Sequence, residues 1–368
     1  MFRRASRVMA ASPSVYRELK LVTSIESGGR RLLRDVERSV HRRVVGQDEA
    51  VRGLLIALLT GGHILLEGLP GLAKTLLVRS LAEALNTSFR RIQFTPDLLP
   101  GDIVGTPVYE PATGRFRVHE GPIFANIVLA DEVNRAPPKV QSALLEAMEE
   151  EQVTIDGTPY PLPKPFLVLA TQNPIEQQGT YPLAEAQLDR FMMKLRVRHP
   201  DRSEEKEILR RVALRPDPGG VVPADGSDEV ATTGGAGEMV IEEGFPAPAS
   251  PEAIFAARRE LGNVHVDERI QDYIVELAFA TREPARAGLR ELEPLLEFGV
   301  SPRATIFLTR GARALAYLNG RDFVLPDDVK TIAPGVFRHR LRTSYEAELK
   351  GIDSDWIVDL LLRTVKAP

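Results

Sequence analysis

The chain has 368 residues, 43% of them hydrophobic and 27% charged, enough for two ordinary domains with a full core. Its formal net charge of −4 gives no general attraction to nucleic acid or to an anionic membrane. With no cysteine there is no disulfide framework, no thiolate metal site and no Cys nucleophile.

No apolar run reaches the length of a membrane span. Arg3, Arg4 and Arg7 are not followed by the apolar stretch of a secretory signal, so a cytoplasmic protein is expected. Residues 1–14 read as a disordered arm, and 15–40 carry helical spacing broken at Gly28-Gly29. A helix is predicted over 44–59, with Asp48 as a candidate N-cap. The short apolar run Ile64, Leu65, Leu66 predicts a strand, and a helix follows from Thr75 to about Asn86. A second strand is predicted over 89–94. The Gly/Pro-rich stretch 97–122 holds a hairpin that pairs Val108-Tyr109 with residues 116–118. Residues 127–130 form a continuous apolar run, as a buried strand requires, and 138–150 a helix. A tight hairpin turns at Asp156-Gly157, and further strands are predicted over 166–170 and 193–197. Apolar strands alternating with helices imply an α/β fold with a parallel sheet.

Composition changes after residue 200. Asp201 and Glu204 are spaced as a capping pair at the head of a helix over 204–212. Residues 214–247 have few apolar groups and read as a flexible insertion or linker. From Pro251 the pattern is wholly helical, over 252–261, 267–281, 303–318, 327–338 and 353–365.

The chemistry starts between the first strand and its helix, at Gly68, Leu69, Pro70, Gly71, Leu72, Ala73, Lys74, Thr75 and Leu76. Strand, glycine loop and helix make the setting of a phosphate-binding loop, whose backbone N–H groups wrap a phosphate at a helix N-terminus. Lys74 would reach the β- and γ-phosphates and the Thr75 hydroxyl would ligate Mg²⁺. Ala73 stands where a last glycine is usual, so that position must take a negative φ or tolerate mild strain. Asp131 and Glu132 close the buried strand 127–130. Two acids there are costly unless they serve a cation or a proton. Asp131 would hold Mg²⁺ and Glu132 would polarise the attacking water. Asn173 closes the strand 166–170 and could bond the γ-phosphate or the water. Arg190 is a candidate to stabilise charge on the γ-oxygens, from its own or a neighbouring subunit. Ser301 and Pro302 suit a helix cap and its first position, which would aim Arg303 at the nucleotide.

These residues, in this order, resemble the AAA+ ATPases and, within them, the MoxR family. The resemblance is carried by Gly-Leu-Pro-Gly-Leu-Ala-Lys-Thr at 68–75 and Leu-Ala-Asp-Glu-Val-Asn-Arg-Ala-Pro-Pro-Lys-Val-Gln at 129–141. Ala-Thr-Gln-Asn-Pro at 170–174, Pro-Leu-Ala-Glu-Ala-Gln-Leu-Asp-Arg-Phe at 182–191 and Ser-Pro-Arg-Ala at 301–304 extend it. It implies a P-loop core over 41–200, after an N-terminal arm and helix over 1–40. A helix and insertion over 201–250 and an all-α lid over 251–368 follow. It implies that Lys74 and Thr75 are Walker A residues and Asp131 and Glu132 Walker B. Asn173 would be sensor 1, Arg190 an arginine finger and Arg303 sensor 2. Val45, Gly46 and Gln47 would line the adenine pocket. ATP and Mg²⁺ are the implied cofactors. The implied assembly is a homo-oligomeric ring, usually a hexamer, that remodels or matures client proteins, often with a partner carrying a von Willebrand factor A domain.

Two other readings compete. A nucleic-acid motor would favour basic hairpin tips with aromatics. Arg115, Phe116 and Arg117 offer one, but Glu110 and Glu120 accompany them. The ATPase subunit of a metal chelatase is the third reading. Arg135, three residues after Glu132, is the alternative to Arg190 as a trans-acting arginine.

Overall fold

A computed structural model of the chain describes residues 27–69, 71–172, 179–213 and 249–368. The expected arm over 1–14 and the insertion over 214–247 lie outside the described residues.

Helix α1 (Gly28–Arg43) starts at the predicted break: Ser27 caps it, its hydroxyl accepting from the Arg30 N–H. A Cβ at Gly29 would lie 2.9 Å from the Ala257 Cα, so glycine lets α1 approach the lid closely. Helix α2 (Asp48–Thr60) begins later than predicted, and Asp48 is inside its first turn rather than its cap. The boundary is set by backbone: Gly46 (φ 67°) and Gln47 (φ 60°) are both left-handed, which turns the chain before the helix can start. Asp48 then meets the positive end of the helix dipole.

β1 (Ile64–Glu67), α3 (Lys74–Ala84), β2 (Phe89–Gln93) and a short α4 (Pro100–Val104) follow. The hairpin β3 (Gly105–Glu110) and β4 (Arg115–Glu120) pairs Tyr109 with Phe116. β5 (Ile127–Asp131), α5 (Pro138–Glu150), the hairpin β6 (Gln152–Ile155) with β7 (Thr158–Pro161), β8 (Leu167–Gln172), α6 (Glu185–Leu188) and β9 (Met193–Arg196) complete the first half. The central sheet has five parallel strands in the order β2-β5-β8-β1-β9. Side chains alternate across it. Ile64, Leu66, Leu129 and Leu169 join one core layer, and Leu65, Val128, Ala130 and Val168 the other. Two-sided burial is why these strands read as continuous apolar runs.

α7 (Arg202–Val212) starts on the predicted box: Asp201 accepts from the Glu204 N–H at 2.9 Å, and Glu204 from the Asp201 N–H at 2.8 Å. The lid comprises α8 (Pro251–Leu261), α9 (Glu268–Arg282), α10 (Pro302–Leu318), α11 (Pro326–Phe337), α12 (Tyr345–Leu349) and α13 (Ser354–Thr364). It is not wholly helical. β10 (Leu296–Phe298) pairs antiparallel with β11 (Arg342–Thr343), held by an Arg342–Glu297 ion pair at 2.6 Å. So short a pair has no periodicity for a sequence to display. The lid core is continuous with the layer of α1–α3, running from Leu33 and Leu54 through Ala257 and Leu308 to Leu361.

One buried group at the N-terminal edge of the sheet titrates. The His63 Nδ1 accepts from the Val168 N–H at 3.0 Å, so the proton sits on Nε2, 3.0 Å from the Met148 carbonyl. Burial pushes its pKa from 6.5 down to about 4. Between these values the unfolded chain binds more protons than the folded one. Stability is therefore expected to fall, by ~3 kcal/mol, as pH drops from about 6.5 to about 4. His339, buried among Arg340, Lys194 and Arg338, adds a loss of the same sign. Urea midpoints measured at about pH 7 and about pH 5 check this, and His63→Gln is expected to make the slope shallower. Midpoints that do not move would contradict a neutral buried ring.

Candidate nucleotide site

The first glycine of the loop, Gly68, has no room for a side chain, because a Cβ would lie 2.9 Å from the Val197 carbonyl oxygen. Gly71 has φ 80° and open space around it, so conformation alone calls for glycine there. Ala73 takes the strained alternative, φ 53° and ψ 27°, at a cost of about 1–2 kcal/mol for an L-residue. It is also the N-cap of α3 and offers no capping side chain. The first-turn N–H groups of α3 are therefore not capped by the residue before it, as an anion site requires. Thr75 and Leu76 lie in that first turn, Thr75 half-buried and Leu76 exposed, and Leu72 is half-buried in the loop. Leu69 precedes Pro70, which lies outside the described residues.

Lys74 folds back over this loop, its Nζ donating to the Gly68 carbonyl at 2.9 Å. Burial lowers its pKa, while the negative charges of Asp131 and Glu132 hold it up. Those two acids sit at the C-terminal end of β5, next but one in the sheet to β1. The Thr171 hydroxyl donates to Asp131 Oδ1 and accepts from the Glu132 N–H at 2.8 Å. Arg91 donates to Asp131 Oδ2 at 2.7 Å. Glu132 has φ 56°, and its Oε2 accepts from Gln93 Nε2 at 2.9 Å and pairs with Arg135 at 3.3 Å. Each acid thus meets one arginine and one neutral donor, Arg91 and Thr171 at Asp131 and Arg135 and Gln93 at Glu132.

The segment Val45–Gly46–Gln47 reaches the same edge. Gln47, buried, donates to the Arg198 carbonyl at 2.7 Å, and Gly46 faces the Glu204 carboxylate too closely for a Cβ. Val197 packs on Gly68, so the loop and this segment meet on consecutive residues after β9. Asn173 lies outside the described residues. The strand that leads to it ends at Gln172, paired with Glu67 beside the start of the loop.

Arg190 and Arg303 are not at this edge. Arg190 donates to the Leu145 carbonyl and pairs with Glu149 Oε2, both at 2.9 Å, and Arg303 meets Glu149 Oε1 at 2.7 Å. Glu149 is in the last turn of α5, a helix of 13 residues that runs back from the Glu132 side. At 1.5 Å per residue the helix spans about 20 Å. Its end is at the opposite edge, where Met148 meets His63 ahead of β1. Ser301 does cap α10 as expected, its Oγ accepting from the Arg303 N–H at 3.1 Å. The cap thus delivers Arg303 to Glu149 and not to Lys74. A cleft of about 350 Å³ opens there, lined by Ser142, Glu146, Glu149, Gln187 and Arg190. A larger one, about 510 Å³, lies in the lid between Thr281 and Gly299 and holds none of these residues.

Arg91, Gln93, Thr171 and Glu149 carry this geometry without standing out as candidates in the sequence. The signal for the first two is weak: polar side chains at alternate positions of β2, on the face where β5 ends.

Family models agree with this architecture. One for the ATPase family associated with various cellular activities (AAA) matches residues 63–193, and one for the AAA lid domain matches 291–359. The fold is thus that of an AAA ATPase domain followed by its lid. The chain is 44% identical over 329 residues to Chaperone MoxR1 of Mycobacterium tuberculosis, spanning 89% of this chain and 80% of that one. It is 33% identical to Protein MoxR of Methylorubrum extorquens, over 90% of this chain and 94% of that one. A crystal structure of an ATPase candidate from Cytophaga hutchinsonii superposes with a TM-score of 0.81 at 46% identity, covering 95% of this chain and 99% of that one. Likeness to the magnesium-chelatase subunit ChlI-1 of Arabidopsis thaliana is distant, 27% identity over 63% of this chain and 46% of that one. The chain belongs to the MoxR family of AAA ATPases. No helix among the described residues is long and apolar enough to cross a membrane.

Proposed function

We propose that the chain hydrolyses ATP with Mg²⁺ and works as a head-to-tail ring, in chaperone fashion, on protein clients. The observation that carries this reading is the convergence of Lys74, Asp131 and Glu132 on one glycine loop, with Glu132 held by Gln93 and Arg135. The residues suit the nucleotide and its metal: a lysine and an uncapped helix start would face a polyphosphate. Among the described residues no group of three or more acids or histidines forms a closed metal cage. Thr75 and Asp131 would hold Mg²⁺, whose remaining ligands come from phosphate and water, as is usual for this ion. The ion would supply positive charge against the phosphate oxygens. Val45, Gly46 and Gln47 would take the adenine, and Asn173 would bond the γ-phosphate or water.

Distance supports the ring. With Lys74 and Arg190 at opposite edges of the sheet, Arg190 serves a nucleotide only when a neighbour brings one to it, and a heterologous contact that closes gives a ring. A hexamer is the expected size. Arg303 shares Glu149 with Arg190 and would serve the same neighbouring nucleotide. Arg135 pairs with Glu132 of its own chain and is the weaker candidate for a trans role. On the first hairpin Arg115 stands opposite Glu110, which offsets the basic character beside Phe116 and disfavours nucleic acid.

Lys74→Ala is expected to abolish ATP binding in calorimetry while the chain stays folded, since among the described residues its side-chain hydrogen bond is to a loop carbonyl. Unchanged affinity would remove the loop from the reading. Capture of proteins by an ATP-loaded Glu132→Gln chain would reveal a client, or a partner with a von Willebrand factor A domain.

A further inference from the structure

Beneath Arg190 lies a buried ion pair that none of the roles above uses. Arg340, in the turn that follows the lid helix α11, has a side chain only 2% exposed. Its Nε donates to Asp189 Oδ1 at 2.7 Å, and its Nη2 to the carbonyls of Asp189 and Phe191 at 2.8 and 2.6 Å. Its Nη1 donates to the carbonyls of Met192 and Val336. Every nitrogen of the guanidinium is thus spent on the turn 189–192 or on the last turn of α11. Such a fork, fully bonded and out of water, fixes a backbone far better than a surface pair does.

The same carboxylate also holds the lid from a second direction. The Ser301 hydroxyl donates to Asp189, 2.8 and 2.9 Å from its two oxygens. Ser301 is the cap of α10, two residues before Arg303. The Arg340 guanidinium also lies over the Phe307 ring of α10, 5.2 Å from its centroid. One carboxylate therefore stands next in sequence to Arg190 and one hydrogen bond from the helix start that carries Arg303. The outer ends of both arginines then meet on Glu149.

We propose that Asp189 and Arg340 are positioning residues that lock the Arg190 turn of the core to the Arg303 end of the lid, so that both guanidiniums meet a neighbour's phosphates as one rigid unit. The inference rests on the trans reading of Arg190 above. Arg340 and Asp189 act through the two arginines and touch no nucleotide. Misplacing a catalytic group by about 1 Å can cost roughly 10²-fold in rate, which sets the scale.

The test uses the full chain, assembled with ATP and Mg²⁺. Asp189→Asn keeps the side-chain shape and removes the charge that Arg340 and Ser301 share. Its kcat for phosphate release is expected to fall roughly 10- to 100-fold, with KM for ATP and assembled mass unchanged. Mixed with Lys74→Ala subunits it should recover activity above the average of the two preparations, because the partner supplies an intact Arg190 turn to the variant's intact loop. A kcat near that of the parent chain would overturn the proposal. So would a loss of ATP affinity that accounts for the lost rate, or mixed rings that recover nothing. If Asp189→Asn does not fold, Ser301→Ala carries the test. A several-fold lower kcat, restored by Ser301→Thr, supports the lock, and an unchanged kcat overturns it. Full activity in Arg190→Ala would instead sink the trans reading beneath the proposal.

Discussion

Mixing two inactive variants, Arg190→Ala and Lys74→Ala, is expected to restore ATP hydrolysis. Arg190→Ala keeps its loop and binds ATP, and Lys74→Ala keeps its arginine. An interface that joins the loop of the first to the arginine of the second is complete. If subunits mix at random in equal amounts, about a quarter of interfaces are of this kind. Arg190→Ala alone is expected to bind ATP normally and to hydrolyse it roughly 10³- to 10⁵-fold more slowly, the scale of a trans arginine in phosphoryl transfer. The physical basis is the separation of the two residues. Lys74 bonds Gly68 at the C-terminal edge of the sheet, and Arg190 lies on Leu145 and Glu149 along the last two turns of α5. No side-chain rotation spans the about 20 Å between the ends of that helix. Mixed rings without activity would mean that Arg190 serves no neighbour's nucleotide.

Glu132→Gln is expected to bind ATP and Mg²⁺ and to release phosphate roughly 10²- to 10⁴-fold more slowly, the usual effect of losing a positioned base. The amide preserves the shape that Gln93 and Arg135 hold, and loses the charge that draws a proton from water. Near-normal turnover would remove Glu132 from the mechanism. The neighbouring carboxylate should behave differently, since Asp131 would hold the metal: Asp131→Asn is expected to raise the Mg²⁺ concentration needed for turnover, a defect that added Mg²⁺ relieves, whereas Glu132→Gln should not respond to added Mg²⁺.

Much of this was legible in the sequence because it is local. The glycine loop, the strand alternation and the capping box at Asp201 and Glu204 each depend on residues within a few positions of one another. The left-handed turn at Gly46-Gln47 was not, because nothing forbids Asp48 from capping until the backbone before it is known. Nor was the choice at Ala73 between negative φ and strain, which the loop geometry decides. The edge on which Arg303 lies was not legible either, for a larger reason. Its cap was correct, but the direction in which a capped helix points depends on lid packing, and Asp189 and Arg340 set that packing through hydrogen bonds more than 100 residues apart in sequence. Gln93 and Thr171 became visible only when β2, β5 and β8 lay side by side.

The catalytic site is expected to be complete only between two subunits. Phosphate release per subunit as a function of protein concentration, with mass followed by light scattering, tests it most directly. Negligible turnover is expected where the chain is monomeric, with a rise to a plateau as rings form. The same turnover per subunit from monomer to ring would contradict it.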